Sequence, residues 1–182
     1  MALVGPELKV GDKAPDFEAT ASDLAPARLS ALLQSAPLAS ASVKIISSVA
    51  SLDTGVCSDE THRFEDEISK LGGKAALITV SMDLPFAQGR FCGPRGAEAP
   101  RGTAAQEGGD CGAPKPGNVF LSDHRLADFG QKYGVLIKEM RLLCRAVFVV
   151  DLQNKIVHVQ YVKETGTHPD YDAVLEAVKK EI

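Results

Sequence analysis

Cysteine is scarce in this chain: four residues in 182, too few for a disulfide scaffold, and a chain of this length needs none to fold. The four are spaced 35, 19 and 33 residues apart with no Cys-x-x-Cys pair, which argues against a structural zinc site. An excess of positive charge is also missing. Twenty Lys and Arg against 24 Asp and Glu leave a net charge of −4, so there is no overall basic footprint and no nucleic-acid partner is expected. Nor is there a long hydrophobic run. The longest, Ala146 to Val150, falls far short of the roughly 20 residues of a membrane helix, and no membrane partner is expected. The first residues show no basic region followed by an apolar stretch, so an unexported, cytoplasmic protein is the expectation. What is present, 45% hydrophobic and 24% charged residues, suits one globular domain over 1–182 and excludes a fibre or a wholly disordered tail.

Periodicity orders the elements. Residues 1–42 contain Val10-Gly-Asp-Lys-Ala-Pro-Asp-Phe17 and then an Ala/Ser/Pro-rich stretch, read as a short extended segment and one brief helical turn. Val43 to Val49 is β-branched and long enough for a buried strand. After Ser51-Leu-Asp-Thr-Gly55 comes a helical pattern with Phe64, Ile68 and Leu71 on one face, closed by Gly72-Gly73. Ala75 to Val80 reads as a second strand, and strand, helix, strand with a crossover of this length begins an α/β fold. Pro85, at a first helical position, opens a short segment through Cys92. From Gly93 to Gly117 there are seven Gly and four Pro in 25 residues and no Val, Ile, Leu, Met or Phe. Nothing in that stretch offsets the entropy of ordering it, so 93–117 reads as a flexible insertion. Asp123 to Tyr133 resumes a helical pattern, Arg145 to Asp151 and Ile156 to Val162 read as a β-hairpin, and Asp170 to Ile182 as an amphipathic helix.

The chemistry concentrates at Cys57. With Thr54 as N-cap, Cys57 is the third helical residue, where unpaired backbone N–H groups and the positive end of the helix dipole favour a thiolate. An ordinary thiol is only a few per cent ionised at neutral pH, and a helix terminus alone is a modest push. Asp53, Asp59 and Glu60 oppose it if they face the sulfur, so a positive partner from elsewhere in the fold is required. Two readings of Cys57 stay open on local geometry: a small buried hydrophobe, or a reactive thiolate.

Seven motifs, in order, bear on that choice: Ser51-Leu-Asp-Thr-Gly-Val-Cys57, Leu84-Pro-Phe-Ala-Gln88, Arg90-Phe-Cys92, Leu121-Ser-Asp123, Tyr133-Gly-Val135, Arg145-Ala-Val-Phe-Val149 and Pro169-Asp-Tyr-Asp-Ala173. Together they closely resemble the bacterial thiol peroxidases, the atypical two-cysteine peroxiredoxins. The resemblance implies a thioredoxin-like fold with a central mixed sheet flanked by helices, a homodimer, and reduction of hydroperoxides with electrons from thioredoxin. No metal or other cofactor is implied. Carried over residue by residue, Cys57 matches the peroxidatic cysteine and Cys92 the resolving one. Thr54 matches the hydroxyl that bonds the sulfur and the peroxide, and Arg145 the guanidinium beside the thiolate.

The chain departs from the family pattern at three places. Ala50 stands where the family has a proline seven residues before the peroxidatic cysteine, which removes a shield and a stiffener but no polar catalytic group; altered activity is expected. His62 replaces a usual Arg and reads as a polar helix-surface residue. The loop after Arg-Phe-Cys is much longer than in the family and holds Cys111, readable as an incidental thiol or as an auxiliary or intermolecular partner. Cys144, on a predicted strand, reads as buried and inert. A competing function uses the same Cys57 and Cys92 as a peroxide-sensing switch, with the insertion binding a partner and little turnover.

Overall fold

A computed structural model describes residues 2–36, 38–91, 117–162, 164 and 166–182. In chain order the elements are β1 Leu3–Val4, β2 Glu18–Thr20, β3 Pro26–Arg28, α1 Leu29–Leu32, a 3₁₀ turn at Leu38–Ser40, β4 Val43–Ser48, α2 Gly55–Ser69, β5 Ala75–Ser81 and α3 Pro85–Phe91. Then follow β6 Asn118–Ser122, α4 Asp128–Lys132, β7 Leu136–Ile137, β8 Leu142–Leu143, β9 Ala146–Val150, β10 Ile156–Tyr161 and α5 Tyr171–Lys180. Cys92, Cys111 and all of the expected 93–117 insertion except Gly117 lie outside the described residues.

Seven strands form one mixed sheet in the order β10-β9-β4-β5-β6-β2-β3. β4, β5 and β6 run parallel, Ile46 beside Ile78 and Ile78 beside Val119, while β9 pairs antiparallel with β4 and β10 antiparallel with β9. β4 and β5 are buried along their whole length because helices cover both faces, which explains their near-continuous apolar sequence. On one face α2 and α5 lay Phe64, Ile68, Tyr171, Val174 and Val178 against Ile45, Leu77, Val147 and Val149. On the other, the N-terminal segment, α1 and α4 bury Phe17, Leu29, Phe129 and Tyr133 against Ile46, Ile78 and Phe148. Phe17, Phe129, Tyr133 and Phe148 meet there at centroid distances of 4.5 to 5.7 Å, within the range of favourable aromatic pairs. Among the described residues no helix is long and apolar enough to cross a membrane.

The central strand, helix, strand unit, the 146–161 hairpin and the terminal helix fall where periodicity placed them, although α2 ends at Ser69 with Lys70 as its C-cap, and Gly72 and Gly73, at φ of 59° and 82°, lie in the turn that leads on to β5. Other segments differ. The Ala/Ser-rich N-terminal region forms the β2–β3 hairpin at the sheet edge, where Pro26 needs no ladder donor on its open side. The 123–133 helix shortens to α4 because the buried Asp123 carboxylate accepts the backbone N–H groups of Phe129 and Gly130 at 3.2 and 2.8 Å, forming a loop ahead of the helix. β6 passed unnoticed beside the glycine-rich stretch, and β7 and β8 are too short for a pattern.

The N-terminal segment docks through glycines. At Gly134 φ is +65° and an added Cβ would stand 2.1 Å from the Pro6 carbonyl oxygen. Gly134→Ala should therefore cost about 2 kcal/mol or more, from left-handed strain and displacement of residues 5–7, read as a lowered urea midpoint. A midpoint equal to that of the parent chain would show that this docking adds nothing to stability.

Candidate active site

The carboxyl end of β4 and the start of β9 come together because their antiparallel register pairs Ser48 with Ala146. Arg145, immediately before β9, is thereby set beside the loop that leads from β4 into α2. That loop ends at Thr54, the N-cap of α2 with φ −98° and ψ 140°, so Cys57 is the third helical residue. Cys57 is 1% exposed and shares a small apolar cluster with Val49, Leu52 and Phe120, against which Ala50 and Phe91 pack. Ala50 thus forms part of the wall around the sulfur.

Into this apolar setting comes one cation. Arg145 is 4% exposed, and its Nη2 donates to Cys57 Sγ at 3.4 Å while Nη1 donates to Glu60 Oε2 in a close ion pair. Glu60, with no exposed surface, also accepts the Ser47 hydroxyl at 2.8 Å. Burial raises the Glu60 carboxyl's affinity for a proton, and the charge of Arg145 and the two hydrogen bonds push back. For Arg145 burial lowers proton affinity, but Glu60 and Cys57 outweigh it and the guanidinium is held charged above its usual range. The geometry therefore concentrates one fixed positive charge between a carboxylate and a thiol. It sets the guanidinium against both Glu60 and the Cys57 sulfur.

Arg145 and Cys57 are brought together. Thr54 lies at the helix start, but its hydroxyl donates to the Ser51 carbonyl at 2.8 Å instead of to the sulfur, since that carbonyl is the stronger acceptor within reach in the turn. His62, expected on the helix surface, is half-buried: its ring stacks on Phe91 with centroids 4.6 Å and planes 16° apart, and Nδ1 lies 3.1 Å from Glu65 Oε2. Cys144 is half-buried, not fully buried; desolvation pushes its thiol up to about 11, the opposite of activation. In the sequence Glu60 is no more than a charge that opposes a thiolate. Its position one turn after Cys57 on the same helix face is the signal that it can share a partner with the sulfur. Among the described residues no group of three or more His, Cys, Asp or Glu side chains could hold a metal ion.

A mixed α/β sheet with an arginine-held thiol at its strand ends is the arrangement of a thiol redox protein. The Redoxin family model matches residues 9–175. Thiol peroxidases from Oceanobacillus iheyensis and Bacillus subtilis are 47% and 41% identical over 180 and 179 residues, covering 99% and 98% of this chain and 94% and 92% of theirs. A solved peroxiredoxin-like protein from Aquifex aeolicus superposes with a TM-score of 0.75 at 38% identity, covering 99% of this chain and 91% of that one. The chain belongs to the Redoxin family and, within it, to the thiol peroxidases, peroxiredoxin-type enzymes with a thioredoxin-like fold.

The buried ion pair makes a specific energetic prediction. Glu60→Ala should cost about 3–5 kcal/mol of stability, because it leaves Arg145 buried without its carboxylate. Glu60→Ala combined with Arg145→Met should cost clearly less than Glu60→Ala alone, as measured by urea unfolding. Additive losses in the double variant would show that the two side chains do not act as a pair.

Proposed function

We propose that the chain reduces hydrogen peroxide and small organic hydroperoxides through Cys57, passes the oxidation to Cys92, and is recycled by thioredoxin. The observation that carries this reading is the 3.4 Å contact from Arg145 Nη2 to the buried Cys57 sulfur at a helix N-terminus. In the first step the thiolate attacks one peroxide oxygen, the O–O bond breaks, and the second oxygen leaves as alkoxide or hydroxide and takes up a proton. Cys57 is oxidised to a sulfenic acid and the peroxide is reduced to an alcohol or water. In this reading Arg145 and the first-turn N–H groups stabilise the charge that builds on the oxygens, and Thr54 hydrogen-bonds the peroxide.

The sulfenic acid then condenses with the Cys92 thiol, forming a disulfide and releasing water, which protects Cys57 from irreversible over-oxidation. Two thiols from thioredoxin reduce that disulfide by exchange and leave as the donor's own disulfide. α3 ends at Phe91, and the Phe91 ring already packs against the Cys57 cluster, so Cys92 follows directly from a residue in contact with that cluster. The reading includes the homodimer that the family resemblance implies, together with a cytoplasmic setting and the 93–117 segment as an insertion within a single domain.

One equivalent of hydrogen peroxide followed by thiol counting and mass mapping tests this. The expected result is the loss of two thiols, a Cys57–Cys92 linked peptide, and reversal by thioredoxin; Cys57→Ser should consume no peroxide. A Cys57–Cys111 peptide would overturn the assignment of Cys92, and an unmodified Cys57 would overturn the peroxidase reading itself.

A further inference from the structure

We infer that Asp83 is a positioning residue for the peroxide reaction: it fixes the loop that carries Thr54 and the N-terminus of α2. The inference rests on the reading of Cys57 as the peroxide-reactive thiol. Asp83 lies between β5 and α3, and its half-buried carboxylate faces the loop between β4 and α2. One oxygen accepts the Ser51 hydroxyl at 2.7 Å; the other accepts the Leu52 N–H at 2.8 Å and the Ser81 hydroxyl at 2.8 Å. Ser51 in turn holds the residues that follow. Its hydroxyl oxygen accepts the Asp53 N–H at 3.2 Å, and its carbonyl accepts both the Thr54 hydroxyl at 2.8 Å and the Thr54 N–H at 3.2 Å.

A continuous path of hydrogen bonds therefore runs from Asp83 to Ser51 to Thr54, the residue that caps the helix of Cys57. The carboxylate is itself anchored. The Ser122 hydroxyl donates to the Asp83 carbonyl, and the buried Gln88 donates from Nε2 to Ser81 Oγ at 3.0 Å and to the Leu121 carbonyl at 2.9 Å. Asp83 thus stands on β5, β6 and α3, and fixes the loop to them. Two other contacts flank this tie. Before Ser51, the loop is pinned by the Val49 N–H bond to the Val80 carbonyl at 3.0 Å. After it, the Leu52 side chain is buried in the Cys57 cluster.

A carboxylate is the group this position requires, because all three of its partners are donors. An amide at Asp83 would present its NH₂ either to the Leu52 N–H and the Ser81 hydroxyl, of which the backbone N–H cannot turn away, or to the Ser51 hydroxyl, whose own donation to this position would then be lost. A misplaced loop moves Thr54 and the first-turn N–H groups away from the peroxide, and small misplacements of aligned groups cost rate steeply.

The test is single-turnover oxidation by hydrogen peroxide in the full chain, with the burst amplitude counting competent sites and the rate constant reporting their alignment. Asp83→Asn should lower the second-order rate constant about 10-fold with the amplitude near one sulfenate per chain, and Ser51→Ala about 3-fold. Ser81→Ala, which removes one anchor of the carboxylate but leaves the Ser51 and Leu52 bonds in place, should lower the rate less than Asp83→Asn does. Ala50→Pro, which stiffens the loop by another route, should recover at least half of the rate lost in Asp83→Asn. If Asp83→Asn does not fold, Ser51→Ala decides the matter. An unchanged rate constant in the folded variants, or a fall confined to amplitude, overturns the positioning role, whereas a parent chain inert to peroxide overturns the reading of Cys57 instead.

Discussion

One buried guanidinium lies between two groups that carry or can carry negative charge, and the site depends on that contact. Arg145 cannot leave water without a partner, so Glu60 has to be buried beside it. The carboxylate in turn is held by Ser47 on β4, so the position of Arg145 is referred to the central strand of the sheet. Its second nitrogen then meets the Cys57 sulfur. The sulfur and the carboxylate share one guanidinium, and the Ser47 bond to Glu60 and the start of α2 at Cys57 each meet one of them from its far side.

The rest of the fold can be understood as the support for this contact. Parallel β4 and β5 with α2 crossing between them put the start of a helix at the strand ends, and antiparallel β9 brings Arg145 back to the same end. A one-residue slip of β9 against β4 would send Arg145 to the opposite face of the sheet, so the apolar alternation of Val147 and Val149 against α5 also sets the register of the active site. Apolar residues around Cys57 strengthen every charge interaction there by excluding water, and Ala50 is the place where that enclosure has the least bulk.

Much of this was legible in the sequence, and the reasons differ from element to element. The Val43–Val49 strand, the Phe64 and Ile68 helix face and the terminal helix announce themselves because burial on a regular element imposes a period. Cys57 and Arg145 were legible through their motifs. The pairing of Arg145 with Glu60 was not, because 85 residues separate them and only strand register brings them together. Asp83 passed unnoticed for a similar reason: its partners Ser51 and Leu52 belong to another loop, and a carboxylate between two structural elements has no periodic signature. The hydroxyl of Thr54 was placed one partner away from where the structure has it, since a turn carbonyl competes with sulfur and local sequence does not rank the two acceptors.

The most direct measurement is the second-order rate constant for oxidation of Cys57 by hydrogen peroxide in Arg145→Lys. Lysine keeps the charge but, as a single compact ammonium, cannot bridge Glu60 and the sulfur with two separate nitrogens. If the bridging guanidinium is what activates Cys57 and aligns the peroxide, the rate constant falls about 100-fold, or about 2.7 kcal/mol of activation free energy, with the burst amplitude retained. A lysine variant that oxidises as fast as the parent would contradict the central place given to this contact.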